Sequence, residues 1–63
     1  MQNKSTYYIA TNDGRKHYDT NDNRFYTFDW SPTLETLEEC EATIANNPEQ
    51  FADCHIVNNN ESL

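Results

Sequence analysis

Ser31–Asn47 reads SPTLETLEECEATIANN and is the one segment of this chain with helical periodicity. At about 100° per residue, Leu34, Leu37, Cys40 and Ile44 share one stripe. Glu35, Glu38, Glu39, Ala42 and Asn46 lie together on the opposite side. Ser31 suits an N-cap with Pro32 at the first helical position, where no N–H donor is needed, and Thr33 is the alternative cap. Asn46-Asn47-Pro48 ends the pattern, because the residue before a proline avoids the α region. The spacing predicts a helix with one side for a sheet and one side almost wholly of carboxylates.

Working outward, Thr6–Thr11 (TYYIAT) is rich in β-branched and aromatic residues and reads as a strand. Asn12-Asp13-Gly14 follows as a hairpin turn, since Gly14, the chain's one glycine, accepts positive φ without strain. Arg15–Asp19 is the returning strand. Thr20–Asn23 is a second turn, or else a bulge within one long bent strand over 15–30. Arg24–Trp30 (RFYTFDW) alternates most clearly. Tyr26, Phe28 and Trp30 fall on one side, which we assign to the core, and Phe25, Thr27 and Asp29 on the other. Beyond the helix, Phe51 plugs the end of the core and Cys54–Val57 (CHIV) is a last strand. Met1–Ser5 is read as frayed, and Asn58–Leu63 as a disordered polar tail.

The expected architecture is a single α+β domain over 1–57, a small antiparallel sheet in ββαβ or βββαβ order packed against one amphipathic helix. The expected core is Ile9, Tyr26, Phe28, Trp30, Leu34, Leu37, Ile44, Phe51 and Ile56. A chain of 63 residues leaves little room for a deep substrate pocket. A homodimer or a bound partner would add to its stability.

The net charge is -7, unevenly divided. Residues 1–24 hold all four cations and three acids, whereas residues 25–63 hold eight acids and no Lys or Arg. Such a field repels nucleic acid and anionic lipid and attracts basic protein surfaces, although acidity also serves solubility alone. Eight Tyr, Phe and Trp residues in alternating runs argue against disorder. There is no apolar leader and no run of membrane-spanning length, so a cytoplasmic protein is expected, in the host cell if phage-encoded.

Glu35, Glu38 and Glu39 stand at i, i+3 and i+4, with no helical cation to offset their repulsion. Their helical rise of about 6 Å per turn is of the order of phosphate spacing along a nucleic-acid strand. They form the candidate partner-binding strip, which Glu41, Asp29, Glu49 and Asp53 extend. On this reading Glu38→Lys with Glu39→Lys abolishes binding and leaves folding intact. Tyr7, Tyr18 and Phe25, placed on the sheet side away from the helix, are the alternative partner-binding surface.

No catalytic, metal or cofactor site is assigned. Asp19, Asn21 and Asn23 imitate half of a calcium loop, but Arg24 stands where glycine is needed and Trp30 where a bidentate Glu is needed. Cys40, Cys54, His55 and His17 lack zinc-site spacing, and the thiols are expected to be reduced. Cys54 and His55, adjacent on a strand, point to opposite sides and cannot pair as nucleophile and base.

In size, acidity and strand–strand–helix–strand order, the layout resembles the small acidic inhibitors that phages and mobile elements direct against host nucleic-acid enzymes. These include inhibitors of uracil-DNA glycosylase, inhibitors of RNA polymerase and anti-CRISPR proteins. The resemblance carries no shared motif and transfers no residue role. It implies a non-enzymatic DNA mimic that blocks a basic site on a DNA-repair enzyme, RNA polymerase or CRISPR effector, with no direct contact to nucleic acid or membrane. The other class considered is a structural or regulatory module that binds a protein, or its own copy, through an aromatic sheet face or an edge strand.

Overall fold

The computed structural model describes residues 5–59. Its elements are β1 (Tyr7–Thr11), β2 (Lys16–Asp19), β3 (Arg24–Thr27), α1 (Leu37–Asn46) and β4 (Cys54–Asn58). They form the small α+β fold expected, in its βββαβ form. The strands make one sheet in the order β3-β2-β1-β4, with every neighbouring pair antiparallel. The chain leaves one edge of the sheet at β3 and returns at the other as β4, and α1 packs against β1 and β4.

The first hairpin closes as its residues dictate. Gly14 takes φ +76° and its N–H donates to the Thr11 carbonyl at 2.9 Å. The Thr11 hydroxyl donates to Asp13 Oδ1 at 2.7 Å, and that oxygen also accepts from the Arg15 N–H at 3.0 Å. These bonds, the hydroxyl's first, hold the Asp13 carboxyl below its usual range. In the second turn Asn23 adopts φ 56°, and β2 and β3 pair on either side of it. The bent-strand alternative for 15–30 is therefore overturned.

Register sets the two faces. Ile9 lies opposite both Tyr18 and Ile56, and Tyr18 lies opposite Phe25. These residues share the helix-covered face, where Ile9, Tyr18, Cys40 and Phe51 form the buried cluster. Tyr7, Phe25, Ile44, Cys54 and Ile56 pack against it. Phe51 is 2% exposed and sits edge-on to Tyr18, ring centroids 4.7 Å apart, so the connector does plug the core.

The core face of β3 is the reverse of the expected one. Tyr26 points away from the helix, and β3 ends at Thr27, so Phe28 and Trp30 lie in the turn beyond it. Phe28 is 43% exposed and Trp30 66%. Counting rings favoured their side of RFYTFDW, but only Phe25 and Tyr26 lie on the strand, and the pairing with Tyr18 takes Phe25 inward. A one-residue change of register exchanges the faces of a whole strand.

The helix also begins later than expected. Residues 31–36 are not helical, and Glu35 exchanges two backbone hydrogen bonds with Tyr7, at 2.8 and 2.7 Å. Thr36, not Ser31 or Thr33, is the N-cap. Its hydroxyl accepts from the Glu39 N–H at 3.1 Å, and the Glu39 carboxylate accepts from the Thr36 N–H at 3.0 Å, a complete capping box. Leu34 thus lies outside the helix and Leu37 in its first turn, and both are exposed rather than in the core. Asn58, expected in the tail, belongs to β4 opposite Tyr7, and the Asn59 N–H donates to the Thr6 carbonyl at 2.8 Å. Residues 1–4 of the segment expected to be frayed, and 60–63 of the expected tail, lie outside the described residues.

Two outcomes check these local assignments. Thr36→Ala should cost about 1 kcal/mol in urea unfolding, and Ser31→Ala nearly nothing. In an NMR titration Asp13 should ionise below 3.8, and Thr11→Val should return it towards that value. Because the native value is depressed, Asp13's stabilisation is complete above the ordinary carboxylate pKa and is lost as pH falls through the native one.

Candidate functional site

The carboxylates expected to form one strip divide into separate groups. Glu35 precedes the helix and is half-buried. Its carboxylate accepts from the Thr20 hydroxyl, and its Oε1 lies 3.9 Å from the Cys40 thiol. It is turned inward, because the bridge to Tyr7 sets its backbone against the sheet. Glu38, Glu39 and Glu41 are exposed on α1, with the Glu39 side chain closing the capping box. Glu49 and Asp53 are exposed on the α1–β4 connector. Asp53 meets the β1–β2 hairpin, where its carbonyl accepts from the Asn12 N–H at 2.8 Å, and Asp13 lines the same hollow. Asp13 was not in the expected strip. Its proximity follows from the pairing of Thr11 with Cys54, a long-range contact with no local signal. Asp29 follows β3, at the opposite edge of the sheet from β4.

Tyr7, Tyr18 and Phe25 do not form an outer surface. Tyr18 is buried, and Tyr7 and Phe25 pack against the core cluster on the helix side. Register is the cause here as in β3: the pairings of Ile9 with Tyr18 and of Tyr18 with Phe25 place all three strands' inward residues under α1 and Phe51.

The opposite sheet face carries other rings. His17 is 1% exposed, and its Nε2–H donates to the Trp30 carbonyl at 2.8 Å. A carbonyl only accepts, so Nε2 carries a proton, while Nδ1 is buried without a hydrogen-bond partner among the described residues. Phe28 lies 4.9 Å from the His17 ring and 6.1 Å from Tyr8, and the Tyr26 and Trp30 centroids are 6.4 Å apart. His17 therefore ties the turn after β3 down onto the sheet. The signal for this was the alternation in KHYD, which places His17 on the side opposite Tyr18.

Beside this cluster is an open cleft of about 220 Å³ lined by His17, Asp19, Asp22, Tyr26, Trp30 and Ser31. The Tyr26 hydroxyl donates to Asp22 Oδ2 at 2.5 Å, and this carboxylate raises the phenol above its usual range. Asp19 Oδ1 accepts from the Asn21 N–H at 2.8 Å. The Arg24 guanidinium stands 5.2 Å over the Tyr26 ring.

For metal or thiol chemistry the groups are poorly placed. Cys40 and Cys54 pack on the helix side of the sheet, His17 and His55 lie on the other, and the sheet separates them. Among the described residues there is no group of three His, Cys, Asp or Glu side chains that could hold an ion. Both thiols are free. Burial, followed by the neighbouring Glu35, pushes Cys40 up to about 11, and burial with Asp53 and Asp13 raises Cys54. No helix among the described residues is long and apolar enough to cross a membrane.

What stands defined is a small α+β fold with exposed carboxylates on α1 and its connector, and with exposed rings beside Asp19 and Asp22 on the helix-free face. No protein-family model, curated protein or solved structure matches the chain.

A raised thiol pKa lowers the thiolate fraction at neutral pH. At pH 8 a disulfide-exchange reagent should label Cys54 before Cys40, and Cys40 should react only when denaturant is added. Equal native rates would show that Cys40 is neither buried nor held protonated.

Proposed function

We propose that this chain is a non-enzymatic acidic binding protein that occupies a basic, nucleic-acid-binding surface of another protein. The observation that carries the reading is the exposure of Glu38, Glu39 and Glu41 on α1, and separately of Glu49 and Asp53 on its connector, in a stretch with no Lys or Arg after Arg24. Such a surface meets Lys- and Arg-lined channels as a phosphate backbone does, by charge rather than by shape. A phage or mobile-element inhibitor of a DNA-repair enzyme, RNA polymerase or CRISPR effector is the biological form that suits it. The exposure of Trp30 and Phe28 favours a second reading, a regulatory module that engages its partner through aromatic anchors on the helix-free face.

The substitutions that test the acidic reading differ from those the sequence suggested. Glu39→Lys breaks the capping box and confounds binding with folding. Glu38→Lys with Glu41→Lys reverses charge on α1 and leaves the box in place. A nuclease-treated bacterial lysate passed over the immobilised protein and eluted with salt identifies the partner. The double variant should then lose roughly tenfold or more in affinity for it while urea unfolding shows that it remains folded. Salt-resistant binding that the double variant retains would transfer the function to the aromatic face.

A further inference from the structure

The cleft on the helix-free face is built from parts that the acidic helix does not use. The Asp19 and Asp22 carboxylates and the Ser31 hydroxyl line it and can accept hydrogen bonds, beside the Trp30 indole, whose N–H only donates. The Tyr26 hydroxyl is already committed to Asp22. No cation lines the cleft, and the rings of Tyr26 and Trp30, inclined at 57° to one another, supply π-faces. A ligand suited to these walls is flat, positively charged and rich in donors.

We propose that this cleft receives an arginine side chain from a protein partner. A guanidinium offers five N–H donors and no acceptor, stacks on aromatic faces and forks onto carboxylates. An ammonium group would satisfy the charge but leave the ring faces less well used. The chain shows the same chemistry internally, where Arg24 stands over Tyr26. Its single charge is outweighed by the two carboxylates of the cleft. The inference shares with the reading above only the positive charge of the partner and does not depend on the helix carboxylates.

Trp30 is the only tryptophan and lines the cleft, so its fluorescence reports occupancy directly. The full chain is titrated with acetyl-Gly-Arg-Gly-amide and with the citrulline peptide, which keeps the shape and lacks the charge. The arginine peptide should give a saturable change, with affinity roughly tenfold above the citrulline peptide. Asp22→Asn, at an exposed turn position, should remove most of that difference. Glu38→Lys with Glu41→Lys should leave the titration unchanged, which separates this site from the acidic helix. Equal responses to the two peptides, no saturation, or a response to a thymidine oligonucleotide in place of the arginine peptide would overturn the proposal.

Discussion

The two backbone hydrogen bonds between Tyr7 and Glu35 determine how the second half of the chain meets the first. The N–H and C=O of Tyr7 point away from β4, towards a position that β2 no longer occupies, because β2 ends at Asp19. Left unpaired, those groups would cost about 1–3 kcal/mol each on burial. Glu35 satisfies both, but only in an extended conformation. The helix therefore cannot begin at Ser31, and Thr36, the next residue, becomes its cap. With that start, Cys40 comes to rest fully buried in the cluster with Ile9, and Ile44, one turn on, packs against the same cluster. The Glu35 carboxylate, carried inward by its backbone, then joins Thr20 and the Cys40 thiol.

A ten-residue helix covers only part of the sheet, and the rest is closed by rings. On the helix side Phe51 meets both Tyr18 and Phe25. On the other side the turn after β3 folds back so that Phe28 covers His17 and Tyr8. The buried bond from His17 to the Trp30 carbonyl holds that turn in place. The molecule thus has a primary core under the helix and a small second cluster behind the sheet. This is a workable arrangement for a chain too short to enclose one large core.

Local chemistry made several elements legible. Asn12-Asp13-Gly14 announced a hairpin because glycine is needed at positive φ, and the order of strand-rich and helical segments limited the architecture to two forms. Phe51 was legible as a plug, being the one large apolar residue between helix and last strand. The cap was also present in the sequence, as Thr36-x-x-Glu39, but Ser31-Pro32 is an equally good local signal. What decides between them is the distant contact with Tyr7. The face of β3 was undecidable for the same kind of reason. RFYTFDW has rings in both phases of its alternation, and only the pairing with Tyr18 and the end of β3 at Thr27 select Phe25.

The same long-range contacts sort the acidic residues by role. Glu35, Glu39 and Asp13 each accept hydrogen bonds that shape a turn, a cap or a bridge, and Asp19 and Asp22 do so around the cleft. Their charges are partly the cost of ordering a chain poor in apolar residues, where short polar side chains replace buried area as the means of fixing backbone. Glu41, Glu49 and Asp53 have no such visible structural task and stand exposed on the side that α1 and its connector present. An excess of negative charge maintained there works against compactness through self-repulsion. The fold gains nothing from it, whereas a basic surface brought against that side would relieve it. A net charge of -7 therefore divides in two, one part engaged in the architecture and the other left exposed on α1 and the connector after it.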